Sequence, residues 1–210
     1  RIAALQEEQI GDFQAAVATM EEILLLAPTD AGALEGQSRI LRKAGDWRQL
    51  AHVLEQRIGF MDPTEAQIPL LFELSKVYGE RLHESDKAID GFLKVLEYEP
   101  DHLPTIDALE HLRRSDASVA LRVVRGLLPY YRSVKDRVKE AEAMEVIANH
   151  EPDPGVRRLQ LTELLDIYQR MSGREVEALR VRLSLFVTEP LDATGRARLR
   201  KEARDLEQLP

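Results

Sequence analysis

The stretch GDFQAAVATMEEILLLAP, residues 11–28, indicates the fold because its pattern returns 34 residues later as GDWRQLAHVLEQRIGFMDP, residues 45–63. Both copies begin with glycine, aspartate and an aromatic residue, continue as an apolar helical run and end at a proline. A pattern that recurs at a fixed period of about 20–50 residues is typical of proteins that stack one structural unit. The two copies therefore predict a repeat protein.

Each residue class in this pattern has a structural role. Apolar positions of the first copy are spaced three and four residues apart, which places them on one helical face. Glycine ends the preceding helix because it adopts a left-handed backbone without strain. The aspartate then caps the next helix by accepting a hydrogen bond from a free amide, and the proline closes that helix. The pattern predicts a helix–turn–helix unit.

The chain resembles the tetratricopeptide repeat (TPR) family, whose period is also about 34 residues. Three units carry the family pattern in this sequence. They fit at Leu34, Gly45, Asp46, Trp47 and Leu50; at Leu71, Leu74, Tyr78, Ala88, Phe92 and Pro100; and at Leu161, Leu164, Tyr168, Gly173, Ala178, Leu185 and Pro190. The resemblance implies an all-α, right-handed superhelical solenoid of antiparallel helix pairs. In such a solenoid the first helix of each pair lines a concave groove and the second lies outside.

The sequence also repeats with a longer period of 90 residues, in addition to the period of 34 residues. Shifting the chain by 90 residues aligns 31–100 with 121–190 without a gap. The matched residues include Asp46 and Asp136, Glu55 and Glu145, Glu73 and Glu163, and Tyr78 and Tyr168. Ninety residues exceed two ordinary units, and we expect a short extra helix at about 104–114 to fill the remainder. The sequence predicts a long array with a 90-residue super-period.

We expect residues 1–210 to form a single solenoid that is a fragment of a longer array, because Arg1 already lies inside a helical pattern. Residues 1–30 would be an incomplete unit, 31–120 the first super-unit and 121–210 the second, with a last helix that caps the stack or is truncated. The predicted helices are 1–10, 12–26, 31–43, 46–60, 64–81, 85–98, 103–114, 117–131, 134–150, 156–171, 174–188 and 192–208. Pro129 interrupts the eighth, and we expect a kink or a helix end there.

Composition excludes several classes of function. The chain has no cysteine, so disulfides, thiol catalysis and cysteine-ligated metals are excluded. The histidines lack metal-ligand spacing and are interpreted as surface or helix-end residues: His52, His83, His102, His111 and His150. No nucleophile elbow or glycine-rich phosphate loop occurs. We therefore expect neither an enzyme nor a cofactor or metal site. No apolar run approaches the roughly 18 residues that a membrane span needs.

The resemblance places polar residues of the first helices in the groove. The cations predicted there to bind a partner are Arg39, Arg42, Lys43, Lys76, Arg122, Arg125 and Arg132. Residues 113–139 carry eight basic and two acidic side chains, although the whole chain has a net charge of −8. Two interpretations stay open: a solvated face that neutralises acidic neighbours, or a cationic shelf for an acidic peptide.

The predicted function is a non-catalytic scaffold that binds a peptide or domain of another protein in the groove. The alternative is a regulatory or assembly segment of a larger enzyme or of a secretion or motility machine, packed against its own complex. A clamp for chaperone C-termini is rejected because Asn149, the only asparagine, lies outside the groove. Nucleic acid is disfavoured because residues 1–100 carry 10 basic and 18 acidic side chains.

The ratio of arginine to lysine bears on the origin of the chain. Arginine outnumbers lysine 22 to 7, which favours a GC-rich bacterial genome. The cytoplasm is the default compartment, and the periplasm stays open. The sequence does not predict an oligomeric state.

Overall fold

A computed structural model describes residues 12–188, together with Lys201 and Arg204. Between residues 12 and 188 the chain forms ten α-helices and no strand, so the predicted all-α fold class is confirmed. The helix predicted at 1–10 lies outside the described residues, as does the one at 192–208 apart from those two. Within each compact unit, successive helices pack on each other. The chain divides into two compact units, residues 1–115 and 116–210.

Unit 1 contains six of these helices and two short helical segments. The helices are α1 (Phe13–Leu26), α2 (Ala31–Ala44), α3 (Trp47–Gly59), α4 (Ile68–Lys76), α5 (Ser85–Tyr98) and α6 (Leu103–Ser115). A 3₁₀ turn, Glu65–Gln67, precedes α4, and a π-helical turn, Val77–Arg81, continues it. The extra helix expected near residue 104 is α6. In the TPR pattern α2 and α4 are first helices, while α1, α3 and α5 are second helices.

Unit 2 contains the other four helices of the described chain. A 3₁₀ turn, Ala117–Val119, leads into α7 (Ala120–Ser133). The remaining helices are α8 (Arg137–His150), α9 (Pro154–Gln169) and α10 (Glu175–Thr188). Here α7 and α9 are first helices, and α8 and α10 are second helices.

Aspartates start the helices as the sequence pattern predicts. The Asp12 carboxylate accepts a hydrogen bond of 2.9 Å from the backbone amide of Ala15, and Asp46 accepts one of 3.0 Å from Gln49. Asp30, Asp136 and Asp153 cap α2, α8 and α9 in the same way. Each bond satisfies one of the amides that a helix start leaves free, which explains why the predicted starts agree closely with the structure.

Each unit has a core of large apolar side chains. In unit 1, Leu50, Leu54, Ile89, Phe92 and Leu109 are almost fully buried. In unit 2 the core joins α8, α9 and α10 through Met144, Leu164, Tyr168 and Val181, with Leu128 of α7 packed against it. Because a single helix pair buries little apolar surface, this packing between successive pairs holds the repeats together.

Four turn residues with left-handed backbones occupy matching positions 90 residues apart. Gly45 has φ 75° and Lys135 has φ 58°, while His83 has φ 57° and Gly173 has φ 76°. The backbone of these turns is therefore left-handed in both units, although the residue type differs between them. Left-handed conformations suit glycine and strain other residues, so Lys135 and His83 occupy positions that favour glycine. The 90-residue super-period stays a prediction.

Pro129 does not end its helix, which corrects that part of the prediction. α7 continues four residues beyond it, to Ser133. Proline removes one helical hydrogen bond, but Leu127 and Tyr131, on either side of it, are almost fully buried. Their packing holds the helix where the backbone bond is missing.

Candidate functional site

Two of the predicted groove cations form matching ion pairs with carboxylates. In unit 1, Arg42 of α2 binds Glu73 of α4, with its Nε 2.9 Å from Oε1 and its Nη2 on the same oxygen. In unit 2, Arg132 of α7 binds Glu163 of α9, with Nη2 2.7 Å from Oε1. The two pairs are 90 residues apart, and each joins successive first helices. These arginines therefore have a structural role in the stack, whatever else they bind.

Arg132 also reaches a carboxylate that sequence reasoning overlooked. Glu140, in the first turn of α8, is only 3% exposed. It accepts hydrogen bonds from Arg132 Nε at 3.2 Å and from Arg137 Nη1 at 2.6 Å. A buried carboxylate is costly unless it is paired and hydrogen-bonded, and the two guanidinium groups supply that pairing. Part of the positive charge of residues 113–139 therefore neutralises acidic side chains of the same fold.

The same holds for the part of this basic segment that belongs to unit 1. Glu110, on α6, is buried and accepts two hydrogen bonds from Arg113, at 3.1 and 2.9 Å. Arg114 Nε donates to the backbone carbonyl of Glu110 at 3.2 Å. Several cations of residues 113–139 are therefore already paired within the fold.

Arg122 and Arg125 lie on the polar arc of α7, as predicted. Val123, Val124 and Leu127 are buried, so the opposite side of the helix packs on the core. Arg125 is exposed and Arg122 is half-buried. The spacing 122, 125, 132 places both arginines on the face that also carries Arg132. Lys135 is exposed in the turn that follows α7.

The unit 1 candidates are less concentrated. Arg39 and Lys43 are exposed on α2. Lys76 ends α4, where its ammonium lies 3.5 Å from Glu80 and 5.9 Å from the centre of the Phe72 ring. The ion pair balances the Lys76 charge.

A tyrosine–glutamate hydrogen bond recurs in both units and was also not predicted as a contact. The Tyr78 hydroxyl donates to Glu55 at 2.6 Å, and the Tyr168 hydroxyl donates to Glu145 at 3.3 Å. Burial, the nearby carboxylate charge and this bond raise the pKa of Tyr168 to about 12. Burial and the bond to Glu55 raise the pKa of Tyr78 well above its ordinary value. The signal was present in the sequence, because both residues of the pair recur at a spacing of 90.

The described residues hold no metal site. Among residues 12–188, Lys201 and Arg204, no group of three or more histidine and carboxylate side chains could hold a metal ion. No helix in this part of the chain has the length and apolar character to cross a membrane.

Comparisons with known proteins add little. No protein-family model matches the chain, and no curated protein matches it. The solved structure of MamA is 17% identical, with a TM-score of 0.38 over 88% of this chain and 92% of that one. TTC0263, a thermophilic TPR protein in Thermus thermophilus, is 19% identical, with a TM-score of 0.32 over 95% and 94% of the two chains. BtubC (BKLC) from P. vanneervenii is 13% identical, with a TM-score of 0.38 over 97% and 93%. Values this low carry no argument about function.

Proposed function

We propose that the chain is a non-catalytic scaffold that binds an acidic segment of a partner protein on the face formed by α7 and α9 of unit 2. The observation that carries this proposal is that Arg125 and Arg132 lie on one face of α7 but differ in their ion pairs. Both side chains are exposed, but Arg132 is paired with Glu140 and Glu163, whereas Arg125 has no ion pair within the described residues. Arg125 is therefore the residue that we expect to contact a carboxylate of the partner, and Arg122, half-buried on the same polar arc, remains a predicted contact.

Lys135 supports this assignment. It has a left-handed backbone at the position where unit 1 has Gly45, although glycine would adopt that turn without strain. The strained lysine places a further exposed cation at the end of α7. Strained backbone positions often mark binding sites, because the side chain there contributes something that glycine does not.

An exposed leucine on α9 adds an apolar feature to this face. Leu159 is 68% exposed, and it lies one helical turn before Glu163 on the same side of α9. Since Glu163 binds Arg132, this leucine belongs to the same face as the arginines of α7. The partner segment that fits best has carboxylates next to at least one apolar side chain. Arg39, Arg42, Lys43 and Lys76 remain predicted partner contacts within unit 1.

The alternative is a regulatory or assembly segment that packs permanently against a larger complex. It draws support from α10, where Val176 is 65% and Leu183 is 47% exposed. The second helix α1 adds support, because Leu25 is 81% and Leu26 is 91% exposed there. Against it, the exposed residues of α3 and α5 are polar or charged apart from Gly59. A packing surface that ran along the second helices would need an apolar strip there as well.

The test is capture of partner proteins by the full chain and by the double variant Arg122→Glu/Arg125→Glu. The control Arg48→Glu/Lys94→Glu makes the same change in charge on second helices of unit 1. We expect one protein to be lost with the first variant and kept with the control, and its affinity to fall as salt is raised. A partner that both variants retain, at equal affinity in low and high salt, would contradict the proposal.

A further inference from the structure

A cavity of about 400 Å³ opens in unit 1 beside the π-helical turn that follows α4. Its floor is apolar and consists of Phe92 from α5 with Ala108 and Leu112 from α6. Phe92 is 2% and Leu112 is 9% exposed. The volume lies within the range of about 300–1,000 Å³ that is usual for ligand sites in proteins. The extra helix α6 thus builds a site that an ordinary helix pair would lack.

Gly79 allows the π-helical turn to form one side of this cavity. A Cβ atom at residue 79 would lie 3.3 Å from the Ala88 Cβ and 3.6 Å from Leu112 Cδ2. The turn therefore approaches α5 and α6 more closely than a larger residue would permit. π-Helical turns inside α-helices are frequently found at functional sites, because they change the direction of the side chains that follow.

His83 lies at the rim with a left-handed backbone, φ 57°, where the matching turn of unit 2 has Gly173. Glycine would form this turn without strain, so the histidine is kept at a cost in stability. Strained positions of this kind cluster at sites that hold ligands. The left-handed backbone of His83 is an observation separate from the cavity volume, and it lies at the rim of the same cavity.

The charges at the rim are balanced. Lys76 and Glu80 both line the cavity, and they form an ion pair of 3.5 Å. The other titratable side chains that line the cavity are the imidazoles of His83 and His111. A balanced rim over an apolar floor favours a neutral, apolar occupant over a phosphate or a carboxylate. The imidazoles can hydrogen-bond to the polar peptide groups on either side of such an occupant.

We infer that this cavity binds one neutral apolar side chain, of leucine to phenylalanine size, presented by a segment of a partner protein. The side chain contacts Phe92, Ala108 and Leu112, and its flanking peptide groups hydrogen-bond to His83 and His111. This site goes beyond the proposed function, because it lies in unit 1 and uses neither Arg122 nor Arg125. Loss of one site therefore leaves the other to be tested separately.

The probe is N-acetyl-L-leucine N-methylamide, titrated into the full chain with ¹³C-labelled methyl groups. We expect saturable shifts of the Leu112 methyl signals, and none with N-acetylglycine N-methylamide, which lacks the side chain. Shifts of equal size with both probes, or no shift with the leucine probe, would overturn the inference.

Two variants separate the site from the stability of the fold. Ala108→Trp fills the cavity and should abolish the Leu112 shifts, while Asp107→Trp, on the exposed side of the same helix, should keep them. His83→Gly relieves the strained turn and should weaken the probe about threefold to tenfold through the loss of one hydrogen bond. If Ala108→Trp does not fold, His83→Gly still decides, because unchanged affinity in that variant contradicts the inference.

Discussion

The hydroxyl of Tyr78 lies 2.6 Å from a carboxylate oxygen of Glu55, and it joins the first helix of one pair to the second helix of the preceding pair. The corresponding bond in unit 2, from Tyr168 to Glu145, is longer, at 3.3 Å. Glu145 there also pairs with Arg180 at 3.1 Å. The same two residue types thus connect successive pairs in both units, with a competing cation in only one of them.

Tyr78→Phe should lower the free energy of unfolding by about 1 kcal/mol, because it removes a hydrogen bond to a charged group that water partly replaces. Tyr168→Phe should cost less, since its bond is longer and Arg180 still satisfies Glu145. Urea denaturation of the full chain measures both changes. An equal or larger loss with Tyr168→Phe would show that the bond length does not decide the contribution.

The raised pKa of Tyr168, about 12, predicts a loss of stability in alkali. Tyrosine in the unfolded chain ionises near pH 10. The folded state therefore favours the neutral hydroxyl, and this contribution is complete below about pH 10 and disappears as the pH rises toward 12. Unfolding followed by circular dichroism through this range should show the loss, and tyrosinate absorbance should show the late ionisation.

Tyr168→Phe is the matched control for that measurement, because phenylalanine cannot ionise. The variant should be less stable at neutral pH and should lose less stability between about pH 10 and 12. A pH profile identical to that of the unchanged chain would mean that Tyr168 makes no contribution to alkaline unfolding.

The four left-handed turn residues allow a reciprocal test. Lys135→Gly and His83→Gly should stabilise the chain by about 1 kcal/mol or somewhat less, because glycine removes backbone strain but loses more conformational entropy on folding. Gly45→Ala and Gly173→Ala should destabilise it by a similar amount. No atom lies within 4 Å of a Cβ built at either glycine, so the cost comes from the backbone alone. Thermal unfolding measures all four, and a loss of stability in Lys135→Gly would contradict the strain.

Much of the fold could be predicted because it depends on local sequence. Asp46 with Gly45, and Asp153 with Pro154, fix helix ends through bonds and backbone angles within a few residues. Val77–Arg81 lies within the predicted helix 64–81 but forms a π-helical turn, and Gly79 in this turn lies close to α5 and α6. That approach is a tertiary contact, and no local pattern shows it.

The candidate site was harder to predict than the fold. A charge pattern places Arg125 and Arg132 on one helical face but cannot show which of them is already paired. Glu140 resembled a solvated residue in the first turn of a helix, and only the packing of α7 on α8 reveals that it is buried. The matching position in unit 1 is Leu50, which is fully buried, so the 90-residue comparison held a clue to its environment.

Glu140 and Arg132 provide the last prediction. Arg132→Ala removes one of the two guanidinium groups that pair a carboxylate with 3% exposure, and it should cost about 3 kcal/mol. Arg42→Ala, the matched change in unit 1, breaks a partly exposed pair and should cost less than about 1 kcal/mol. The double variant Arg132→Ala/Glu140→Leu should regain most of the lost free energy of unfolding. It removes the buried charge and places at residue 140 the leucine that unit 1 has at the matching position, Leu50. Urea denaturation gives all three values. If the double variant were less stable than Arg132→Ala alone, the cost would lie in lost packing of Arg132 rather than in the charge of Glu140.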